Sequence, residues 1–314
     1  MTQIAQSRLV LIAAAMLVIP QSAEAEQSYS RGQNASPAYE GWEEDTDGSR
    51  YFLFGYINRN WEEVLDVPVG PENYFEPGDA DQGQPTHFFP RRNRFVFHVP
   101  VPDDFSETDE LVWTLTTKGK EEKAYATLRL DSFVDNLVKA SEQGALGAGT
   151  SDSNMRGNTV PQLRVEGAAH RTARVGEPLT LVAWASDDGI PKPGKGGGSF
   201  PRARNSGTFS TARPEWTPPR QITVGSSVGL RLSWFVYRGA GQVTFDPLQA
   251  KVWEDTRDGA NSPWANRWVT PPLPPDGRWE VEVTFHAPGT YILRCLASDG
   301  AVGADEDRTI TVTR

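Results

Sequence analysis

The sequence predicts an all-β protein built from two β-sandwich domains. Three observations carry this prediction. Gly and Pro are plentiful, at 29 and 24 residues, while stretches with a helical apolar period are scarce. Ten Trp and fourteen Phe supply the bulk to fill cores, which separates the chain from a disordered Gly/Pro-rich one. Short apolar alternations recur between turn residues on both sides of a Gly/Ser-rich stretch, 140–159, which reads as an interdomain linker.

The elements follow in order. Residues 1–8 are short and polar, 9–19 are an apolar run (LVLIAAAMLVI), and Ala23-Glu24-Ala25 gives a small-x-small cleavage pattern. Residues 1–25 are therefore expected to be a secretory signal peptide. The apolar run is shorter than the roughly 20 residues of a membrane-spanning helix. No later segment is apolar enough to span a bilayer, and the absence of a cysteine near the cleavage site argues against a lipoprotein-type anchor. Residues 26–36 are polar and expected to be disordered.

The first domain is placed at 37–139. Strands are expected at 50–58 (RYFLFGYIN) and 94–101 (RFVFHVPV), where Phe95, Phe97 and Val99 alternate with Val96 and His98. Two more, 110–117 and 123–129, flank a turn at Lys118-Gly119-Lys120. Between the first two lies a long loop, 68–92, whose five aromatic or His residues suggest that it packs rather than waves.

The second domain is placed at 160–314. Strands are expected at 162–166, 178–185, 228–237, 279–285, 290–297 and 308–313. Leu230, Leu232, Trp234 and Val236 share one face, as do Tyr291, Leu293, Cys295 and Ala297. Cys295 is the single cysteine, so no disulfide forms within the chain, and its strand position predicts burial.

Several motifs carry a family likeness. Val175-Gly176-Glu177-Pro178-Leu179, then Asp187-Asp188-Gly189, then Leu232-Ser233-Trp234 resemble the strands of PKD-type, immunoglobulin-like domains of bacterial surface proteins. Phe285-His286-Ala287-Pro288-Gly289-Thr290-Tyr291, with Leu293 and Ala297-Ser298-Asp299-Gly300, is the most specific match. The segment 239–245 looks like the hairpin after the central strand. The resemblance implies an immunoglobulin/PKD-like sandwich with Trp234 between its sheets and Tyr291 at a strand corner. Two insertions, 191–221 and 255–277, depart from that pattern. The first domain resembles the N-terminal part of uncharacterised exported bacterial two-domain proteins through Gly41-Trp42-Glu43, 54–60 and 83–88, which implies a shared fold and no activity.

A net charge of −10 argues against nucleic acid and against anionic membrane surfaces as partners. One candidate ligand site joins Asn58, Arg59, Gln84, His87 and Arg91, beside Trp61, Arg92 and Arg94. Amides, guanidinium forks and flat rings of this kind bind sugars or carboxylates. The alternative is that the polar groups satisfy loop backbone, and that the arginines pair with Glu62, Glu63 and Asp66. A second candidate is calcium at Asp187, Asp188, Asp299 and Asp305, since clustered carboxylates suit an ion that takes six to eight oxygens. The alternative is ordinary Asp-Gly turn chemistry. The Trp-rich loop 253–279 suits glycan or protein contacts, or else packs onto the sandwich.

Catalysis finds little support. Gly225-Ser226-Ser227-Val228-Gly229 formally matches a nucleophile elbow, but a strand follows where a helix is needed. Gly189–Lys195 spaces like a phosphate loop, but Gly196 replaces the Ser/Thr. The expected function is a non-catalytic periplasmic or extracellular binding or assembly protein with a protein or glycan partner and no cofactor except calcium. The alternative is a carbohydrate-binding or carbohydrate-acting exported protein.

Overall fold

A computed structural model describes residues 30–142, 155, 157–192, 229–250, 252 and 272–314. The expected signal peptide, the interior of the linker, the elbow-like motif up to its last glycine, Trp253, Trp264, Trp268 and most of both insertions lie outside the described residues.

The first domain holds eight strands: β1 (Ala35–Glu44), β2 (Arg50–Asn58), β3 (Leu65–Asp66), β4 (Asn73–Glu76), β5 (His87–Phe88), β6 (Arg91–Pro100), β7 (Leu111–Thr117) and β8 (Lys120–Ala126). β1-β2-β6 form one sheet, β4-β7-β8 a second, and β3-β5 a short ribbon. Strand order begins at Ala35, inside the segment expected to be disordered, because Ala35 pairs with Asn58 and is fully buried. Aromatic rings fill the core: Phe54 meets Phe75, Phe97 and Trp113 at centroid distances of 5.2, 5.5 and 5.9 Å. The long loop is packed and contributes β4 and β5. Asn73 anchors it by donating from Nδ2 to the Val67 and Pro85 carbonyls and accepting from Trp113 Nε1.

Two local details differ from the sequence expectations. The β7–β8 turn uses two residues, Lys118 (φ 52°) and Gly119 (φ 73°), so Thr117 pairs with Lys120 and β8 starts earlier than expected. In β6 the alternation slips. Asn93, Phe97 and Val99 face the core, while Phe95 (φ 50°) sits in a β-bulge opposite Gly55. Gly55 is required there, since a Cβ would stand 2.2 Å from Glu40 Oε1 and 2.4 Å from the Asn93 carbonyl.

A helix, α1 (Asn136–Glu142), occupies the start of the expected linker. Buried Ala140 packs against Met155 and Ala301, so both ends of the linker are pinned to folded structure.

The second domain holds β9 (Gln162–Val165), β10 (His170–Arg174), β11 (Pro178–Ser186), β12 (Arg231–Arg238), β13 (Val243–Asp246), β14 (Arg278–Phe285), β15 (Gly289–Ser298) and β16 (Gly303–Thr313). The sheets are β13-β14-β11-β9 and β10-β16-β15-β12, with β10 parallel to β16. This is an immunoglobulin-like sandwich whose first strand divides between the two sheets. The 239–242 turn crosses between sheets rather than closing a hairpin, because β13 pairs with β14. Trp234 is 1% exposed between the sheets. Tyr291 donates to the Ala287 carbonyl at 3.0 Å, closing the strand corner. Cys295 is fully buried, and burial pushes its thiol well above the ordinary range.

Candidate functional site

β12 and β15 alternate apolar residues on both faces. Leu232, Trp234 and Val236 with Leu293, Cys295 and Ala297 fill the sandwich. The opposite face carries Ser233, Phe235 and Tyr237 on β12, and Ile292, Arg294 and Leu296 on β15. An outer face this apolar needs a cover, and the first domain supplies it. Tyr237 belongs to the first domain's core, and Phe235 meets Phe89 edge-on at 5.7 Å.

Arg294 clamps the junction. It is 8% exposed, and its Nε and Nη2 donate to the two Asp307 carboxylate oxygens at 2.8 and 2.9 Å. Nη1 donates across the junction to the Val96 carbonyl, freed by the β6 bulge, at 2.8 Å. The guanidinium also lies 3.6 Å from the Tyr237 ring centroid. Beside it, the tip of the long loop runs along the end of β12. Tyr237 donates to the Gly83 carbonyl, Arg238 forks onto Asp81 at 2.6 and 2.9 Å, and the Thr86 amide donates to the Tyr237 carbonyl. The junction is thus polar and apolar together, and it holds two sandwiches in one arrangement.

The first domain covers the row Phe235–Arg294–Asp307 and, at the β12 bulge beyond it, Tyr237 and Ile292. The next two cross-strand rows on the same face are Ser233–Leu296–Asp305 and Arg231–Ser298–Gly303. They form the floor of an interdomain cleft of about 930 Å³. Its walls are the β1–β2 hairpin, the bulge residues Arg94 and Phe95, His98, and the 133–139 segment. The volume lies within the roughly 300–1,000 Å³ typical of ligand pockets, which favour domain interfaces. Glu43 pairs with Lys139 in the wall, and His98 Nδ1 stands 3.6 Å from Glu43 Oε1. Arg94 pairs with Glu142 at 2.7 Å. Burial raises the Asp305 carboxyl above its ordinary value, against the pull of Arg294. Burial also brings the Arg231 guanidinium down to about 10, with Asp299 opposing.

The residues anticipated as a ligand site are placed differently. Asn58 is fully buried, donating to the Glu63 and Phe88 carbonyls and accepting from Asn60. Gln84 is fully buried, donating to the Asn73 and Ala80 carbonyls. His87 Nδ1 lies 2.6 Å from Asp66 Oδ1. Arg59 donates to Ser36 Oγ, and Arg91 stacks 3.9 Å from the Trp61 ring centroid while reaching the Arg59 carbonyl. Arg59, Trp61 and Arg91 therefore meet, whereas Asn58 and Gln84 serve the loop backbone beneath. Arg92 pairs with Glu40, Arg94 with Glu142, and Glu63 with Lys118 rather than with an arginine of the triplet.

The four acids considered for calcium do not converge as a set. Among the described residues no group of three or more His, Cys, Asp or Glu is arranged to hold a metal. Asp305 stands 3.3 Å from Arg294 Nε, in the junction. Asp188 receives the Thr159 amide and hydroxyl and the Ile190 amide. Asp299, fully buried, receives the Ala301 and Val302 amides and Asn158 Nδ2. Burial raises both Asp187 and Asp299, and Asp187 adds to the rise at Asp299. Asp187 Oδ1 and Asn158 Oδ1 are buried without a hydrogen-bond partner, and two such orphaned oxygens fit a hard cation.

The Arg294 clamp and the cleft escaped sequence reasoning. The available signal was the second apolar face of β12 and β15, interrupted by one arginine.

No family model matches the chain, and no curated protein matches it by sequence. Solved structures similar to it include a chimeric titin Z1Z2 bearing a decorin peptide, at 9% identity over 90% of this chain and 100% of that one, TM-score 0.22. Sidekick-1 immunoglobulin domains 1–5 match at 11% identity over 92% of this chain and 41% of that one, TM-score 0.22. Fibronectin(III)-like modules of Clostridium thermocellum CbhA match at 8% identity over 89% and 94%, TM-score 0.21. At these scores the likenesses carry no argument about function, and the fold class rests on the two pairs of sheets. No helix among the described residues is long and apolar enough to cross a membrane.

Proposed function

We propose that this chain is a non-catalytic exported binding or assembly protein, acting in the periplasm or outside the cell on a protein or glycan partner. The observation that supports this reading is the clamped junction. Arg294 and the 81–86 loop hold two sandwiches as one frame, and the frame leaves a cleft of about 930 Å³ walled by both domains. Rigid scaffolds presenting loops and clefts are how β-sandwich proteins bind. Within the immunoglobulin-like fold we assign the second domain to the PKD type, on the 285–300 motif and its Tyr291 corner.

A carbohydrate ligand is the second reading. It is favoured by the Tyr51, Phe95 and Phe133 rings in the cleft beside the Glu43 and Asp305 carboxylates. A glycan array and a glycoside-hydrolase panel on residues 26–314 separate the readings. Saturable glycan binding without turnover supports the carbohydrate reading. Turnover of any substrate overturns the non-catalytic one.

We also propose that Asp187 and Asp299, with the Asn158 side-chain carbonyl, hold calcium, which would neutralise charge at this turn. The orphaned Asp187 and Asn158 oxygens support it. Chelator that leaves Tm unchanged relative to millimolar calcium removes this assignment.

A further inference from the structure

Charges of both signs line the interdomain cleft, and they differ in whether they are already engaged. The cations are engaged. Lys139 pairs with Glu43, His98 stands 3.6 Å from the same carboxylate, and Arg94 pairs with Glu142 at 2.7 Å. Arg231 lies in the field of Asp299. Three acids of the lining are different. Glu44 and Asp45, where β1 turns into β2, and Asp135, at the start of α1, are exposed and make no ion pair among the described residues. Asp135 Oδ1 accepts the Val138 amide at 2.9 Å, and the Glu44 and Asp45 carboxylates accept no hydrogen bond among those residues. The same cleft is lined by apolar side chains open to water: Phe133 is 45% exposed and Val160 47%. Resting on the binding reading given above, we propose that the cleft takes a surface segment of a partner protein in which a lysine or arginine adjoins an apolar side chain.

Charge complementarity selects this occupant. A cationic group meets Glu44, Asp45 or Asp135 without breaking an existing ion pair. An anionic group meets them as like charges, and must draw Arg94 off Glu142 or Lys139 off Glu43 to find a partner. A neutral sugar can offer hydroxyls to the acids, but Val160 is aliphatic and gives no flat face for a sugar ring to stack on. An apolar side chain suits both Val160 and the open part of Phe133. Exposed apolar groups gathered in a concave site mark protein contacts.

The apolar wall and the acidic hairpin belong to one unit. The Val134 amide donates to the Trp42 carbonyl at 2.8 Å, Phe133 packs edge-on against the Trp42 ring at 5.0 Å, and Lys139 ties α1 to Glu43. The site is therefore formed before a partner arrives, which lowers the ordering cost of binding. Its three acids are solvated, so they act on association rate and salt dependence more than on affinity. Neutralising two of them should weaken a cationic segment by about two- to tenfold, the span of two exposed ion pairs.

The test titrates residues 26–314 with two capped hexapeptides, Leu-Lys-Leu-Lys-Leu-Lys and Leu-Glu-Leu-Glu-Leu-Glu, and follows the Val160 methyl signals by NMR. The lysine peptide should shift them saturably, and less tightly at ~300 mM than at ~50 mM salt. The glutamate peptide should leave them unmoved. Glu44→Gln with Asp45→Asn should weaken the lysine peptide by about two- to tenfold. Glu72→Gln with Asp79→Asn removes the same charge at exposed positions outside the cleft and should change nothing. Equal binding of both peptides, equal weakening by both pairs of substitutions, or unmoved Val160 signals overturns the proposal. So does a shift of those signals with protein concentration alone, which would give the cleft to a second copy of the chain. A glycan that moves Val160 where neither peptide does overturns the proposal and leaves the binding reading standing. Failure of both peptides and of the whole glycan array removes the two together.

Discussion

Arg294→Met isolates the clamp, because methionine keeps the apolar stem on Tyr237 and removes the guanidinium. Three donated bonds are lost, two to Asp307 and one to the Val96 carbonyl, together with the contact to the Tyr237 ring at 3.6 Å. Removing one partner of a fully buried pair costs about 3–5 kcal/mol. Asp307 is 38% exposed and regains water, which lowers the figure, while the Val96 carbonyl loses its donor. The expected net cost is about 2–4 kcal/mol. At about 2–4 °C per kcal/mol for a unit of this size, Tm should fall by roughly 4–16 °C. Scanning calorimetry should show one cooperative transition in the wild type and two in the variant, as each sandwich melts by itself. A double-mutant cycle with Asp307→Asn should return a coupling of about 1–2 kcal/mol. A variant within about 0.5 kcal/mol of wild type, melting in one step, would refute the claim that this side chain joins the domains.

Gly55→Ala should destabilise the first domain by about 2–3 kcal/mol in urea titration, since the new Cβ overlaps the Glu40 carboxylate and the bulge backbone at Asn93. Full stability would mean that the bulge can retreat. Cys295 should resist Ellman's reagent in native buffer and react fully in denaturant, because its thiol is buried and its ionisation suppressed. Reaction of the native chain within minutes would contradict the packing of β15.

Much of the second domain was legible because its strands obey period two. Leu232, Trp234 and Val236 on β12 and Tyr291, Leu293 and Cys295 on β15 are apolar on one face, and that face is the core. The Tyr291 corner and Trp234 could be read from the motif alone. Other elements left weaker marks. β10 is nearly all polar (HRTAR) and pairs in parallel with β16, so no local alternation announces it. β1 starts in a polar stretch, and the β6 bulge moves Phe95 out of the alternation that its neighbours suggest.

The amino-acid sequence by itself determined the class of fold, the inner faces of the main strands and the buried state of Cys295. Those properties are local, since alternation and turn residues act within a few positions. Tertiary structure alone decided what covers the outer face of β12 and β15, and therefore where the cleft lies. Arg294 reaches the Val96 carbonyl across 198 residues of chain, and Tyr237 reaches Gly83 across 154. Strand periodicity can mark a face as apolar, but it carries no information about a partner that distant. Only the packed chain brings the bulge of β6 against Arg294.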